Sequence, residues 1–215
     1  MKVIVTGSSN GIGRAIAEKF LACGHTVIGI DKAQSSLSHA HYTHVVADIF
    51  KDKLPEIDGV EILVNNAGVQ DSGCDIDVNL KGTIRVTEKY AIQPQIKSVV
   101  FIASASASTG SEFPEYVASK GGMVSYMKNV ALRIAPYGAT SNSLSPGGVI
   151  TQLNQHILDT PKLWQQVMDE TPLNKWAEAC EIAEWTYFVA VVNKSMTAQD
   201  IVIDNGESAK AKFVW

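Results

Sequence analysis

The chain has 215 residues, 46% of them hydrophobic and 19% charged, with a formal charge of −4 at neutral pH. That length can bury a substantial core, so one domain suffices, and a slightly acidic, scattered charge gives no electrostatic ground for nucleic acid. No apolar run of about 18 residues calls for a membrane span, and no basic leader with a cleavage site is recognisable; a cytoplasmic location is expected.

The first element is a β-branched strand at 3–5, which runs directly into Thr6-Gly7-Ser8-Ser9-Asn10-Gly11-Ile12-Gly13. A strand that turns through three glycines into a helix presents unpaired N–H groups and a positive dipole end, a seat for a pyrophosphate. Gly7 suits the tight turn, Gly11 the approach of a ligand to backbone, and Gly13 the close packing of helix on strand. Apolar residues at helical spacing carry the helix over 12–23, and Gly24 can end it. The next strand, 26–30, leads to Asp31, 18 residues after Gly13. A carboxylate there can accept hydrogen bonds from the adenosine-ribose hydroxyls and repel a 2′-phosphate, which favours NAD(H) over NADP(H). Neighbouring Lys32 works the other way, as a cation that tolerates phosphate.

Further strands are predicted at 44–47, 61–65, 98–103, 139–144 and 200–203, with helices over 76–92, 115–135 and 178–192. About seven apolar runs alternating with helices predict a single-domain α/β fold, a Rossmann-type doubly wound parallel sheet. His39, His41 and His44 cluster between predicted strands, where loop histidines are ordinary, and Cys23, Cys74 and Cys180 are too scattered to complete a metal set or a disulfide framework. No metal is expected. Within the helix at 115–135, Tyr116 and Lys120 stand four residues apart and so share a face. An ammonium about 4 Å from a phenol, at an effective dielectric of about 20, contributes about 4 kcal/mol toward ionising it, enough to bring a tyrosine into the working range of an acid–base catalyst. Residues 146–172 are irregular in pattern and rich in polar side chains, and are read as a substrate lid.

Taken together, these segments resemble the short-chain dehydrogenase/reductase family over residues 1–208. The resemblance implies a cofactor loop at Gly7, Ser9, Asn10, Gly11, Ile12 and Gly13, an adenine contact at Asp48 and Ile49, and the family's strand-end motif at Asn66, Ala67 and Gly68. It also implies a nicotinamide carboxamide seat at Pro146, Gly147, Val149 and Thr151. Its catalytic tetrad falls on Asn79, Ser104, Tyr116 and Lys120. Tyr116 would exchange a proton with the substrate oxygen, Lys120 would lower the phenol's pKa and bind the nicotinamide ribose, Ser104 would hold the substrate oxygen, and Asn79 would position a water behind Lys120. Ser106 competes with Ser104 for the serine role, because both lie in a Ser-Ala-Ser-Ala-Ser run and a one-residue shift of the loop would swap them; Ser104 directly follows its strand and stands twelve residues before Tyr116, where the family commonly has thirteen.

Two departures are visible: only ten residues separate Gly68 from Asn79, and 50–59 is abbreviated where the family commonly has a full helix. The implied function is an NAD(H)-dependent oxidoreductase acting on a small secondary alcohol or ketone. A 3-oxoacyl-[acyl-carrier-protein] reductase is the alternative, for which Lys81, Arg85, Lys89, Lys128 and Arg133 could receive an acidic carrier; a non-catalytic NAD-sensing regulator is the alternative of another class. The family habit of pairing through long helices implies a homodimer or homotetramer, and the apolar end of the tail 209–215, through Trp215, is expected to meet a neighbouring subunit or cover the cleft.

Overall fold

The computed structural model of the protein describes residues 1–111 and 113–209; the expected contact of Trp215 lies outside them. Seven strands form one parallel sheet: β1 (Lys2–Thr6), β2 (Thr26–Asp31), β3 (Tyr42–Val46), β4 (Ile62–Asn65), β5 (Ser98–Ile102), β6 (Thr140–Pro146) and, last in the chain, a strand at Asp200–Ile203. Their spatial order, with that last strand at the far edge, is β3-β2-β1-β4-β5-β6 and then Asp200–Ile203. The order reverses between β1 and β4, so their carboxyl ends open the crevice in which doubly wound sheets bind ligands.

Strand alternation explains the two cores. Ile4, Leu63, Val99 and Phe101 face a cluster with Val86, Met123, Met127, Val130 and Ile134, drawn from α2 (Thr83–Tyr90) and, beyond the short α3 (Ser106–Thr109), from α4 (Pro114–Ile134). Val3, Val5, Ile62, Val64, Val100 and Ile102 point the other way, against Ile16, Ala17 and Phe20 of α1 (Gly11–Ala22) and Ala183 of α7 (Ala179–Tyr187). Burial on both faces is why these strands read as continuous apolar runs.

The expected helix over 76–92 is present but in two forms, a π-helical stretch Ile76–Gly82 that continues into α2. The wide turn coincides with Asn79, whose buried side chain bonds to Val69 and Ser119. The expected helix over 178–192 behaves alike, since α7 passes into a π-helical Phe188–Val192. Residues 146–172, expected to be irregular, contain α5 (Gln155–Leu158) and α6 (Pro161–Glu170) after the short strand β7 (Val149–Ile150). Pro161 cuts the segment into pieces too short to show periodicity in sequence. β7 pairs in parallel with β8 (Ala177–Glu178), a small second sheet that fastens the segment at both ends; the strand at Asp200–Ile203 is then β9.

The two shortened regions are held by specific bonds. Asp75, 1% exposed, accepts the N–H groups of Asp71 and Ser72 and the Ser72 hydroxyl, closing a compact turn between Gly68 and Asn79. Across 50–59, Arg85 donates to the carbonyls of Ile49, Phe50 and Asp52, and Tyr90 to that of Pro55. Burial pushes the Tyr90 phenol up to about 12, so it stays a neutral donor. No helix among the described residues is long and apolar enough to cross a membrane.

Candidate active site

The glycine turn after β1 is built as its residues require. Gly7 and Gly11 lie at φ +67° and +52°, a conformation that glycine adopts without steric penalty. At Gly13 a Cβ would fall well inside contact distance of the Gly7 carbonyl and the Asn66 amide. Asn66 ties the turn to β4, donating from Nδ2 to the carbonyls of Thr6 at 3.0 Å and Gly7 at 3.1 Å, while the Thr6 hydroxyl accepts the N–H groups of Asn66 and Ala67. The first turn of α1 holds no acidic side chain and Asn10 makes no side-chain cap, so its N–H groups are left for an anion.

A cavity of about 1160 Å³ opens above this turn. Gly7, Asn10, Gly11, Ile12, Asp31, Asp48, Ile49, Asn66, Ala67 and Gly68 line one end, and Ser104, Tyr116, Lys120, Pro146, Gly147, Val149 and Thr151 the rest. Of the residues predicted for the site, three lie behind the wall. Ser9 is buried and donates its hydroxyl to the Ala33 carbonyl; Gly13 packs beneath Gly7; Asn79, fully buried, accepts from Val69 N–H at 2.8 Å and donates to Val69 O at 2.8 Å and Ser119 Oγ at 3.0 Å. The Asn79 side chain is thus occupied in fastening the 68–69 wall to α4.

Tyr116 and Lys120 do share a face of α4. The Lys120 ammonium lies 5.6 Å from the centre of the Tyr116 ring and donates to the Ile102 carbonyl at 2.9 Å. Burial lowers Lys120 to about 8, with the Asp75 carboxylate acting in the opposite direction; at pH 7 it is still mainly a cation. Ser104 and Ser106 both line the cavity, and they are coupled: Ser104 Oγ accepts from Ser106 N–H at 3.2 Å and from Ser106 Oγ at 2.8 Å. Ser106 therefore orients Ser104, whose own hydroxyl hydrogen is left for a ligand.

Trp176 and Glu207 are among the cavity residues that escaped the sequence reading. Trp176, 6% exposed, packs its indole over Gly148, where any side chain would collide with it, and meets Trp164 of α6 edge to face at 5.3 Å. Glu207 turns its carboxylate toward Gly147, where a Cβ would lie 2.9 Å from its Oε2. The Gly147-Gly148 doublet was the only local hint of either. His39, read as a loop histidine, accepts the His41 N–H at Nδ1; His44, read the same way, instead lies in β3, where it contacts Tyr42 and Ala33.

Residues 39–208 match a family profile described as enoyl-(acyl carrier protein) reductase. A short chain dehydrogenase family protein from Francisella tularensis superposes with a TM-score of 0.84 at 27% identity, covering 97% of this chain and 99% of that one. The chain belongs to the short-chain dehydrogenase/reductase family. Among curated short-chain dehydrogenase/reductase relatives, a 3-oxoacyl-[acyl-carrier-protein] reductase of Staphylococcus epidermidis is 28% identical over 94% of this chain and 97% of its own. A glucose 1-dehydrogenase of Gluconobacter oxydans is 26% identical over 99% and 93%. Membership makes this short-chain dehydrogenase/reductase an NAD(P)-dependent oxidoreductase of CH–OH and C=O groups, and the glycine turn, the open α1 terminus and the crevice at the β1/β4 reversal fit that cofactor.

The buried lysine also has a thermodynamic signature. Its native pKa of about 8 lies below the ordinary 10.5, so the unfolded chain binds the extra proton between those values, and stability rises with pH across that window. Below about pH 8 the full cost, on the order of 3 kcal/mol, is present. Lys120→Met is expected to stabilise the cofactor-free protein in urea unfolding at pH 7, with the advantage shrinking by pH 10. A pH-independent difference would refute that account.

Proposed function

We propose that this short-chain dehydrogenase/reductase interconverts a small secondary alcohol and its ketone with NAD(H), using Tyr116 as the general acid/base. The observation that carries the reading is that Tyr116, Lys120 and Ser104 line the same cavity as the glycine turn and Asp31. When bound, the cofactor supplies or takes up the hydride. The chain's own part is proton handling and orientation. Ser104 holds the substrate oxygen with the hydroxyl hydrogen that Ser106 leaves unengaged, and Tyr116 exchanges a proton with that oxygen. Lys120 stabilises the phenolate by charge, in a buried setting where the attraction is stronger than in water. Asn79 positions the wall rather than the reacting atoms.

NAD(H) is favoured because Asp31 lines the cavity as a carboxylate with a fixed aim: its two oxygens accept from Ser9 N–H and Ala33 N–H, each at 2.9 Å. A 2′-phosphate would meet that charge. The segment at 146–172 serves as the lid, hinged on the β7/β8 pair. A homo-oligomer through α2 and α4 is supported by Leu132, 76% exposed on α4, and a reducing, cytoplasmic setting by three exposed, unbridged cysteines.

The relatives named as 3-oxoacyl-[acyl-carrier-protein] reductases motivate the second reading, but four of the five residues that would greet an acidic carrier, all except Lys128, are engaged elsewhere. Lys81 pairs with Asp77 at 2.7 Å, Lys89 with Glu56 at 2.6 Å and Arg133 with Glu88 at 2.5 Å, while Arg85 is turned onto backbone carbonyls. A panel of ketones, sugars, hydroxysteroids and 3-oxoacyl thioesters, assayed with NADH and NADPH at the nicotinamide absorbance, tests both readings. Turnover of small ketones with NADH in preference to NADPH is expected; activity confined to acyl-carrier thioesters would replace this reading with the second.

A further inference from the structure

Beneath the cofactor loop, β3 supplies two side chains that no part of the mechanism uses. Tyr42 and His44 alternate onto one face of the strand and stack, with ring centres 6.1 Å apart. The Tyr42 hydroxyl lies 3.1 Å from Ser8 Oγ and 3.1 Å from His44 Nδ1. His44 Nε2 lies 2.9 Å from the Ala33 carbonyl; a carbonyl only accepts, so that nitrogen carries the hydrogen. The same Ala33 carbonyl takes the Ser9 hydroxyl at 3.1 Å, and the Ala33 and Ser9 N–H groups hold the two oxygens of Asp31. The chain of bonds closes on itself: Ser8 and Ser9 are adjacent in the glycine turn, and the circuit returns to them through Tyr42, His44, Ala33 and Asp31.

The fold keeps room for this circuit. Gly29, at the middle of β2, lies directly under it, and a Cβ there would fall inside contact distance of both Ser8 Oγ and the Tyr42 hydroxyl. Ser8 is fully buried, so its hydroxyl has no ready replacement by bulk water, and losing its partner carries a desolvation cost. The consequence reaches the cavity through Asp31, the only member of the circuit that lines it. A carboxylate that discriminates between a ribose hydroxyl and a 2′-phosphate does so only while its position is fixed, since a free side chain would swing away from the phosphate.

We propose that Tyr42 and His44 are positioning residues for the adenosine-ribose end of the cofactor site, setting the preference for NADH over NADPH by fixing Asp31 against the glycine turn. This rests on the reading of Asp31 as the element that favours NAD(H). The test needs no substrate: Kd for NADH and NADPH is measured by fluorescence titration on the 215-residue chain for wild type, Asp31→Ala, Tyr42→Phe, His44→Leu and His44→Gln, with unfolding midpoints in parallel.

Tyr42→Phe and His44→Leu are expected to weaken NADH about tenfold, to change NADPH by less than about threefold, and so to narrow the ratio of the two constants. His44→Gln can restore an N–H toward Ala33 and is expected to recover most of the ratio. Tyr42→Phe in the Asp31→Ala background is expected to add nothing further, as coupled residues behave. Destabilisation alone would weaken both nucleotides alike and would not be rescued by glutamine. A wild-type preference for NADH that Asp31→Ala abolishes, but that Tyr42→Phe and His44→Leu leave intact, overturns this inference alone; a wild type indifferent to the 2′-phosphate overturns it together with the reading of Asp31.

Discussion

Tyr116→Phe is expected to lower kcat by about 10³-fold or more while leaving the Kd for NADH within about threefold of wild type. The substitution removes one oxygen and leaves a ring of the same shape on the exposed-to-cavity face of α4, so packing against Lys120 is retained. What disappears is the group that exchanges a proton with the substrate oxygen, a contribution of about 10² to 10⁴ in rate for positioned acid–base groups, together with the charge that Lys120 stabilises. Stopped-flow turnover and NADH fluorescence titration on the same preparation separate the two effects. A regulator that senses the nucleotide without turnover has no use for the phenol, so an unaltered biological output in Tyr116→Phe would favour that reading over catalysis.

Gly13→Ala should be nearly as damaging, for a reason that is purely steric. A Cβ at 13 would press into the Gly7 carbonyl and the Asn66 amide, the two groups already bonded to each other at 3.1 Å. Both belong to backbone or to a side chain held at two points, so neither can yield without opening the turn. Overpacking of this kind costs about 1–3 kcal/mol or more, and here it falls on the anion seat: a loss of NADH affinity of about 100-fold is expected, with a lower unfolding midpoint. Gly24→Ala is the control. Gly24 lies at φ +78° with nothing near its would-be Cβ, so alanine there costs about 1–2 kcal/mol of backbone strain and leaves NADH binding unchanged. Equal effects at the two sites would show that the loss at Gly13 is general destabilisation.

Much of the scaffold was legible residue by residue. The β-branched runs became strands within one or two residues of their expected ends, because a strand buried on both faces shows itself as local hydrophobicity and nothing else is needed to see it. The glycine turn was legible for a related reason: positive φ at Gly7 and Gly11 is a property of single residues. Tyr116 and Lys120 were paired by helical spacing alone. Spacing to Tyr116 did not separate Ser104 from Ser106; both reach the cavity, and the hydrogen bonds between them show only which hydroxyl accepts and which donates.

By itself, then, the sequence determined the layered parallel sheet, the glycine turn, the acid at the end of β2 and the phenol–ammonium pair, all of which follow from backbone preference and periodicity over a few consecutive residues. Only the tertiary structure decided that Asn79 faces inward to Val69 and Ser119, that Trp176 closes over Gly148, that residues 146–172 fold into helices pinned by β7 and β8, and that Tyr42 and His44 reach under the glycine turn. Each of those depends on which residues, distant along the chain, arrive side by side once the sheet is assembled, and on whether a missing Cβ leaves them space. Proximity of that kind has no signature in the order of residues, because it is set by the packing of whole elements rather than by the preferences of any one of them.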